Sequence, residues 1–416
     1  MGIPGLTTYI NNRADRYLEY YELHNTYLVI DGNNVCCSIY NLYAKCNCAF
    51  GGDYDNYAQC VSDFFNDLLR CKVTPLVLFD GGSENKKFRT IIKRTKEKIR
   101  AAWSFSPLNQ RNMKFLPLML QEVFKDVMRE KNIRHVQCLF EADNDIASVA
   151  RILNCPVLSY DSDFYIYGTL YIPFDTLDTY VVKNPNGNGY MKCCKIYKVE
   201  NLLKSFKGLH QSMLPLAAIL LGFSKDYVVR VNTYHLNRSF KFDGDINTLT
   251  YIEEVHGRYT ESTEEDKEED DEIEIAKIFT ESELMSNTAT ISDLPIWFVN
   301  EFHTGKYPSY FLDLIIHRLY VCYIQIEDFH YPSNIKVSLK ILSIIIGILK
   351  LMIDNNINYI RYLMRTEDKK IMCYKLEATE IMNIFGLSSS FNLSDVSLLT
   401  QREILNYTLG ITDMDC

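Results

Sequence analysis

The chain has 416 residues, of which 47% are hydrophobic and 23% charged, with a net charge of −9. That length accommodates roughly two or three domains with sizeable cores, and the composition excludes fibrous, disordered and disulfide-stapled miniature classes. The acidity is local: Glu261 to Glu274 holds ten acids against one lysine, so the remainder is near neutral and open to a polyanionic partner.

The opening Met1-Gly2-Ile3-Pro4-Gly5-Leu6 has neither a charged leader nor an apolar stretch, so it does not read as a signal peptide, and Leu6 stands where acylation of Gly2 wants Ser or Thr. A first buried strand, Tyr27 to Ile30, ends in Asp31. A loop around Gly51-Gly52-Asp53 precedes a helix near 54–71 with Tyr57, Val61, Phe64, Phe65, Leu68 and Leu69 on its apolar face. A second strand, Pro75 to Phe79, ends in Asp80; a basic helix and a helix at about 113–131 follow. A strand over 135–140, a helix from Ala142 to Leu153 and a strand from Pro156 to Leu158 lead into Asp161. This βαβα order predicts an α/β fold, a mainly parallel sheet flanked by helices. Residues 168–197 read as a hairpin turning at Asn184 to Gly189, and two helices near 199–206 and 213–222 close a domain over 1–228.

Residues 229–290 read as a polar, acidic insertion, and 291–416 as a mostly helical C-terminal lobe. The apolar stretch Val337 to Ile353 holds Lys340 and Lys350 and is short for a membrane span, which favours a buried core helix. The 13 cysteines form no CxxC pair, so free thiols in a reducing compartment are expected.

Acids at the ends of buried strands are the main chemical signal. One Asp in that position is often only a helix N-cap. As a set, Asp31, Asp80, Glu141, Asp143, Asp161, Asp163 and Asp226 would line the carboxyl edge of a parallel sheet, where ligands usually bind. Crowded carboxylates repel, and oxygen-only clusters select hard divalent ions; paired Mg²⁺ or Mn²⁺ ions are a device for cutting phosphodiesters. Between Lys86 and Arg100 there are eight basic residues and one acid, Glu97, which favours a phosphate-guiding helix.

Met1 to Leu6, Val29-Ile30-Asp31-Gly32, Phe79-Asp80-Gly81, Glu141-Ala142-Asp143 and Asp161-Ser162-Asp163 together resemble the XPG/flap-endonuclease superfamily with its PIN-like sheet. Phe140 to Ala147 is most similar to the asteroid branch. The resemblance implies one metal held by Asp80, Glu141 and Asp143 with Asp31 nearby, and a second held by Asp161, Asp163 and Asp226. It implies that Lys87 and Arg94 steer the scissile phosphate and that Gly2 lies against the substrate. Lys86, Arg89, Lys93 and Lys96 would add to the DNA contact, and Tyr40 or Tyr43 would stack on a base, with ordinary packing as the alternative. Trp103 and Phe105 carry the same pair of readings. Two extra residues before Asp226, and no Gly-x-Gly pattern after Tyr227, depart from the flap enzymes and tilt the expected substrate towards single-stranded, overhang or branched DNA. The expectation is a nuclear, monomeric DNA-repair endonuclease, away from membranes and working with repair proteins. A non-catalytic adaptor and a PIN-type RNase remain the competing readings.

Overall fold

In the computed structural model the described residues are 3, 5–45, 52–84, 87–105, 116–185, 187, 189–206, 210–214, 291–327, 330–353 and 356–379. The chain divides into two compact units. The first comprises Met1–Asp80 with Met119–Asp266, and the second Gly81–Leu118 with Lys267–Cys416.

The first unit begins with α1 (Leu6–Asn11), α2 (Ala14–Tyr17), β1 (Leu18–Leu23), β2 (Tyr27–Asp31), α3 (Gly32–Ser38), α4 (Tyr54–Arg70) and β3 (Thr74–Phe79). The chain then enters the second unit through α5 (Phe88–Trp103). It returns as α6 (Leu120–Glu130), β4 (Arg134–Gln137), α7 (Asp143–Leu153), β5 (Val157–Ser159), β6 (Tyr171–Pro173), β7 (Val182–Lys183), β8 (Tyr190–Tyr197) and α8 (Val199–Ser205). The sheet order is β1-β8-β6-β5-β2-β3-β4, with β7 paired to β8. Strands β6, β5, β2, β3 and β4 are parallel neighbours; β8 runs antiparallel to both β1 and β6.

The parallel strands read as near-continuous apolar runs because both their faces are covered. Leu28 and Ile30 of β2 join Val77 and Phe79 of β3 in one core, with Phe65 and Leu68 of α4 and Phe124 of α6. Val29 and Leu78 turn to the other face, where Ile146 and Ala150 of α7 close a second core. The period-two alternation of strand side chains thus builds a core on each side of the sheet. Helix α4 buries the expected face apart from Leu69, which is exposed.

The second unit combines α5 with α9 (Ile296–His303), α10 (Tyr310–Ile316), β9 (Leu319–Val321), α11 (Leu339–Met352), β10 (Tyr359–Arg365) and β11 (Ile371–Glu377). Helices dominate, as expected, but Leu319 and Tyr320 lie in a strand, and β9, β10 and β11 form a separate three-stranded sheet. Helix α5 belongs here because its apolar stripe (Phe88, Ile92, Ile99 and Ala102) is buried, and because the turn before it is tied to α10. There the Ser83 backbone N–H donates to Asp313 Oδ1 at 2.6 Å, and His317 Nε2 lies 2.7 Å from the Ser83 carbonyl oxygen. The sequence places the basic helix inside a domain ending at 228; the contacts group it with residues beyond 290. Among the described residues the cysteines are free, and no helix is long and apolar enough to cross a membrane.

Candidate metal and nucleic-acid site

The site is built by strand ends. In the run β5-β2-β3-β4 the strands are parallel, so their carboxyl ends share one edge of the sheet. Asp31 ends β2, Asp80 follows β3, Glu141 and Asp143 follow β4, and Asp161 and Asp163 follow β5.

Asp31 is buried and also caps α3. Its Oδ1 accepts from the Asn34 backbone N–H at 3.1 Å and its Oδ2 from Ser159 Oγ at 2.7 Å. Asp80 Oδ1 accepts from the Ala142 backbone N–H at 2.9 Å and Oδ2 from Asn33 Nδ2 at 2.8 Å. Asp161 is buried; it receives the Asp163 backbone N–H at 3.1 Å and gives its own N–H to Ser159 Oγ at 3.1 Å. The N-cap reading therefore holds for Asp31 and Asp161, and it coexists with a shared acidic edge.

The electrostatics show which acids are grouped. Asp31 is pushed up to about 7, chiefly by burial; the hydrogen bonds from Ser159 and Asn34 oppose the rise, and the charges of Asp80 and Asp161 add to it. Asp143 is likewise raised to about 7, first by burial, then by Asp31, Asp80, Asp161 and Asp163. These five aspartates form one mutually repelling group. Glu141 stands exposed two residues before Asp143. Asp226 and Gly2 lie outside the described residues.

The donor set fits a hard divalent cation: every donor is a carboxylate oxygen, and two carboxyls are raised to about 7 first by burial and then by neighbouring negative charge, the part that a cation would cancel. Among the described residues no three His, Cys, Asp or Glu side chains are gathered closely enough to hold a metal ion.

Helix α5 shows a divided surface. Opposite its buried stripe, Lys93, Arg94, Lys98 and Arg100 are exposed, Lys96 is half-buried, and Lys87 is half-buried at the N-cap position. Lys86 and the Arg89 side chain lie outside the described residues. Trp103 is partly exposed at the end of the helix, with Lys369 Nζ 3.1 Å from its ring centroid. Tyr40 is corrected: it is buried and meets the Tyr57 ring edge-on at 5.5 Å, so it packs the core and does not present a face to a base. Tyr43 packs on Phe174 at 5.4 Å. The sequence reading also missed Asn33, Asn34 and Ser159, polar residues whose side chains make bonds at the strand ends; the Asn-Asn pair two residues after Asp31 was the available signal.

The XPG N-terminal domain family matches residues 1–101. A parallel sheet with this ordered set of acids along its carboxyl edge is the architecture of an XPG-superfamily chain. Protein asteroid of Drosophila melanogaster is 47% identical over 182 residues, covering 44% of this chain and 21% of that protein. The single-strand DNA endonuclease ASTE1 of Danio rerio is 31% identical over 384 residues, covering 84% of this chain and 54% of that protein. The chain belongs to the asteroid family. It spans about half the length of the zebrafish relative and about a fifth of the fruit-fly one. Among solved structures, the catalytic core of Rad2 in complex with DNA substrate superposes with a TM-score of 0.37 at 13% identity, covering 67% of this chain and 83% of that one.

Proposed function

We propose that this chain is a divalent-metal-dependent endonuclease acting on DNA with single-stranded character, in DNA maintenance in the nucleus. The observation that carries the reading is the convergence of Asp31, Asp80, Asp143, Asp161 and Asp163 at the carboxyl ends of adjacent parallel strands, with two of them raised to about 7 by burial and mutual charge. The name of the zebrafish relative points to the same substrate.

Asp80, Glu141 and Asp143 would hold one ion beside Asp31; Asp161 and Asp163, with Asp226, would hold another. Bound there, Mg²⁺ or Mn²⁺ would supply water activation and leaving-group stabilisation for in-line displacement at phosphorus. The chain's own part is to keep the carboxylates oriented through backbone N–H and side-chain bonds, and to offer cationic groups to the phosphates. Helix α5 by itself presents Lys93, Arg94, Lys98 and Arg100 to solvent, the kind of cationic face that holds phosphates, with Lys87 half-buried at its N-cap.

The test is purified protein with labelled single-stranded, overhang, flap and RNA substrates, in Mg²⁺ or EDTA. Cutting of DNA in Mg²⁺ that EDTA and Asp80→Ala both abolish is the expected result. Selective cutting of RNA would favour the PIN-type ribonuclease, and binding without cutting the adaptor. Cutting by Asp80→Ala at the parental rate would refute the site.

A further inference from the structure

Two consecutive asparagines, Asn33 and Asn34, stand in the first turn of α3, after Asp31 and Gly32. Asparagine is a poor helix former, because its amide competes with the backbone. Both side chains here leave the helix and bind neighbouring strand ends. Asn33 Nδ2 donates to Asp80 Oδ2 at 2.8 Å, while its Oδ1 accepts from Gln121 Nε2 at 2.9 Å and from the Asp80 backbone N–H at 3.3 Å. Two donors on the oxygen leave only one sensible orientation of the amide, with nitrogen towards the carboxylate. Asn34 works in the other direction: its Oδ1 accepts from the Tyr160 backbone N–H at 2.8 Å, just beyond β5, and from Ser38 Oγ at 3.4 Å.

We propose that Asn33 is a positioning residue that sets the Asp80 carboxylate for a divalent cation, with Gln121 locking the Asn33 amide. The inference rests on the metal-binding reading above and deepens it. Asp80 is held at both oxygens from two directions, by Asn33 on one side and the Ala142 N–H on the other. A neutral donor is what the position requires. It fixes one carboxylate rotamer without cancelling the negative charge that draws the ion, which a lysine or arginine would do. Groups that orient metal-binding carboxylates in this way typically change metal affinity by about 10–100-fold when removed.

The test is Mn²⁺ binding by the full chain without nucleic acid, followed by the magnetic resonance of the free ion and by calorimetry, alongside the thermal midpoint. Asn33→Ala is expected to weaken Mn²⁺ binding by at least about 10-fold, and Gln121→Met, which removes only the outer link, by a smaller factor of about 2–5. Lys125→Met, buried elsewhere on α6, serves as the stability control: a comparable fall in thermal midpoint with unchanged Mn²⁺ affinity is expected. If Asn33→Ala does not fold, Gln121→Met decides alone. Parental Mn²⁺ affinity in both folded variants overturns the positioning role and leaves the metal reading standing. An affinity loss equal to that of Lys125→Met also overturns it, since general destabilisation then suffices. Absence of Mn²⁺ binding by the parent refutes the metal reading, and the positioning role with it.

Discussion

Replacing Asp143 by asparagine should make the metal-free protein more stable at alkaline pH. The folded value of about 7 against an ordinary 3.8 is a shift of roughly three units. At about 1.36 kcal/mol per unit this amounts to a ceiling of about 4 kcal/mol. The folded protein holds the Asp143 proton more tightly than the unfolded chain does. Stability from this group is therefore complete below about pH 4 and is lost as the pH rises through about 7. Asp31 follows the same course. Part of each shift is the same mutual repulsion, so the two are not summed. An acid in the first turn of α7 also gains about 0.3–1 kcal/mol from the helix dipole, which works against the substitution but is smaller. In EDTA, the thermal midpoint of Asp143→Asn should exceed that of the parent by several degrees at pH 8.5, and the gap should shrink as the pH falls and close below about pH 4. Millimolar Mg²⁺ at pH 8.5 should raise the parent more than the variant. A gap that is independent of pH, or a parent more stable than the variant in alkaline EDTA, would refute the assignment of the strain to burial and charge crowding.

Gly32→Ala should cost about 1–3 kcal/mol by overpacking, read as a lower denaturant midpoint, because the added Cβ would stand 2.5 Å from Phe79 Cε1 and 2.9 Å from the Leu78 carbonyl oxygen. Lys125 is buried with its Nζ 3.1 Å from Gln137 Oε1, so Lys125→Met should cost about 1–3 kcal/mol by stranding that acceptor. Lys125→Met with Gln137→Met should recover part of the loss in a double-mutant cycle, and strict additivity would argue against the pairing. Removing the exposed Lys93 and Arg94 together should weaken single-stranded DNA binding whatever its sequence. It should also flatten the dependence of log K on log salt by about 1.4, at about 0.7 per phosphate contact; an unchanged slope would take α5 out of the interface.

The first unit was legible where burial is two-sided. Val29, Ile30, Leu76 and Val77 have no polar alternation, so their runs mark parallel strands, and an acid at the end of each run marks the sheet edge where the candidate site lies. The second unit was less legible. The hairpin of β10 and β11 turns at Thr366 to Lys370 without glycine, and Lys369 takes the left-handed conformation at φ 63° in its place. With Asp368 followed by Lys369 where an Asp-Gly or Asn-Gly pair is the strong signal, Tyr359 to Arg365 gave no hairpin signal. The Tyr40 reading failed for a simpler reason: spacing alone places a tyrosine on a helical face but does not say whether that face meets water or, as here, Tyr57. Asn33 was passed over because a lone amide carries no charge and no metal-ligand pattern; only the register of β2 against β3 brings it to Asp80.

The second unit is stitched from two stretches separated by most of the first. During synthesis, α5 leaves the ribosome on the order of 200 residues ahead of α10, a wait of roughly 10–40 s at ordinary elongation rates. Throughout that interval Phe88, Ile92 and Ile99 have no finished core to enter, and they sit on the same helix as its exposed basic residues. A newborn chain therefore carries a sticky, cationic segment before its second unit is complete, which makes it a natural client for a chaperone, and a gene fragment stopping near residue 228 would keep that liability for good.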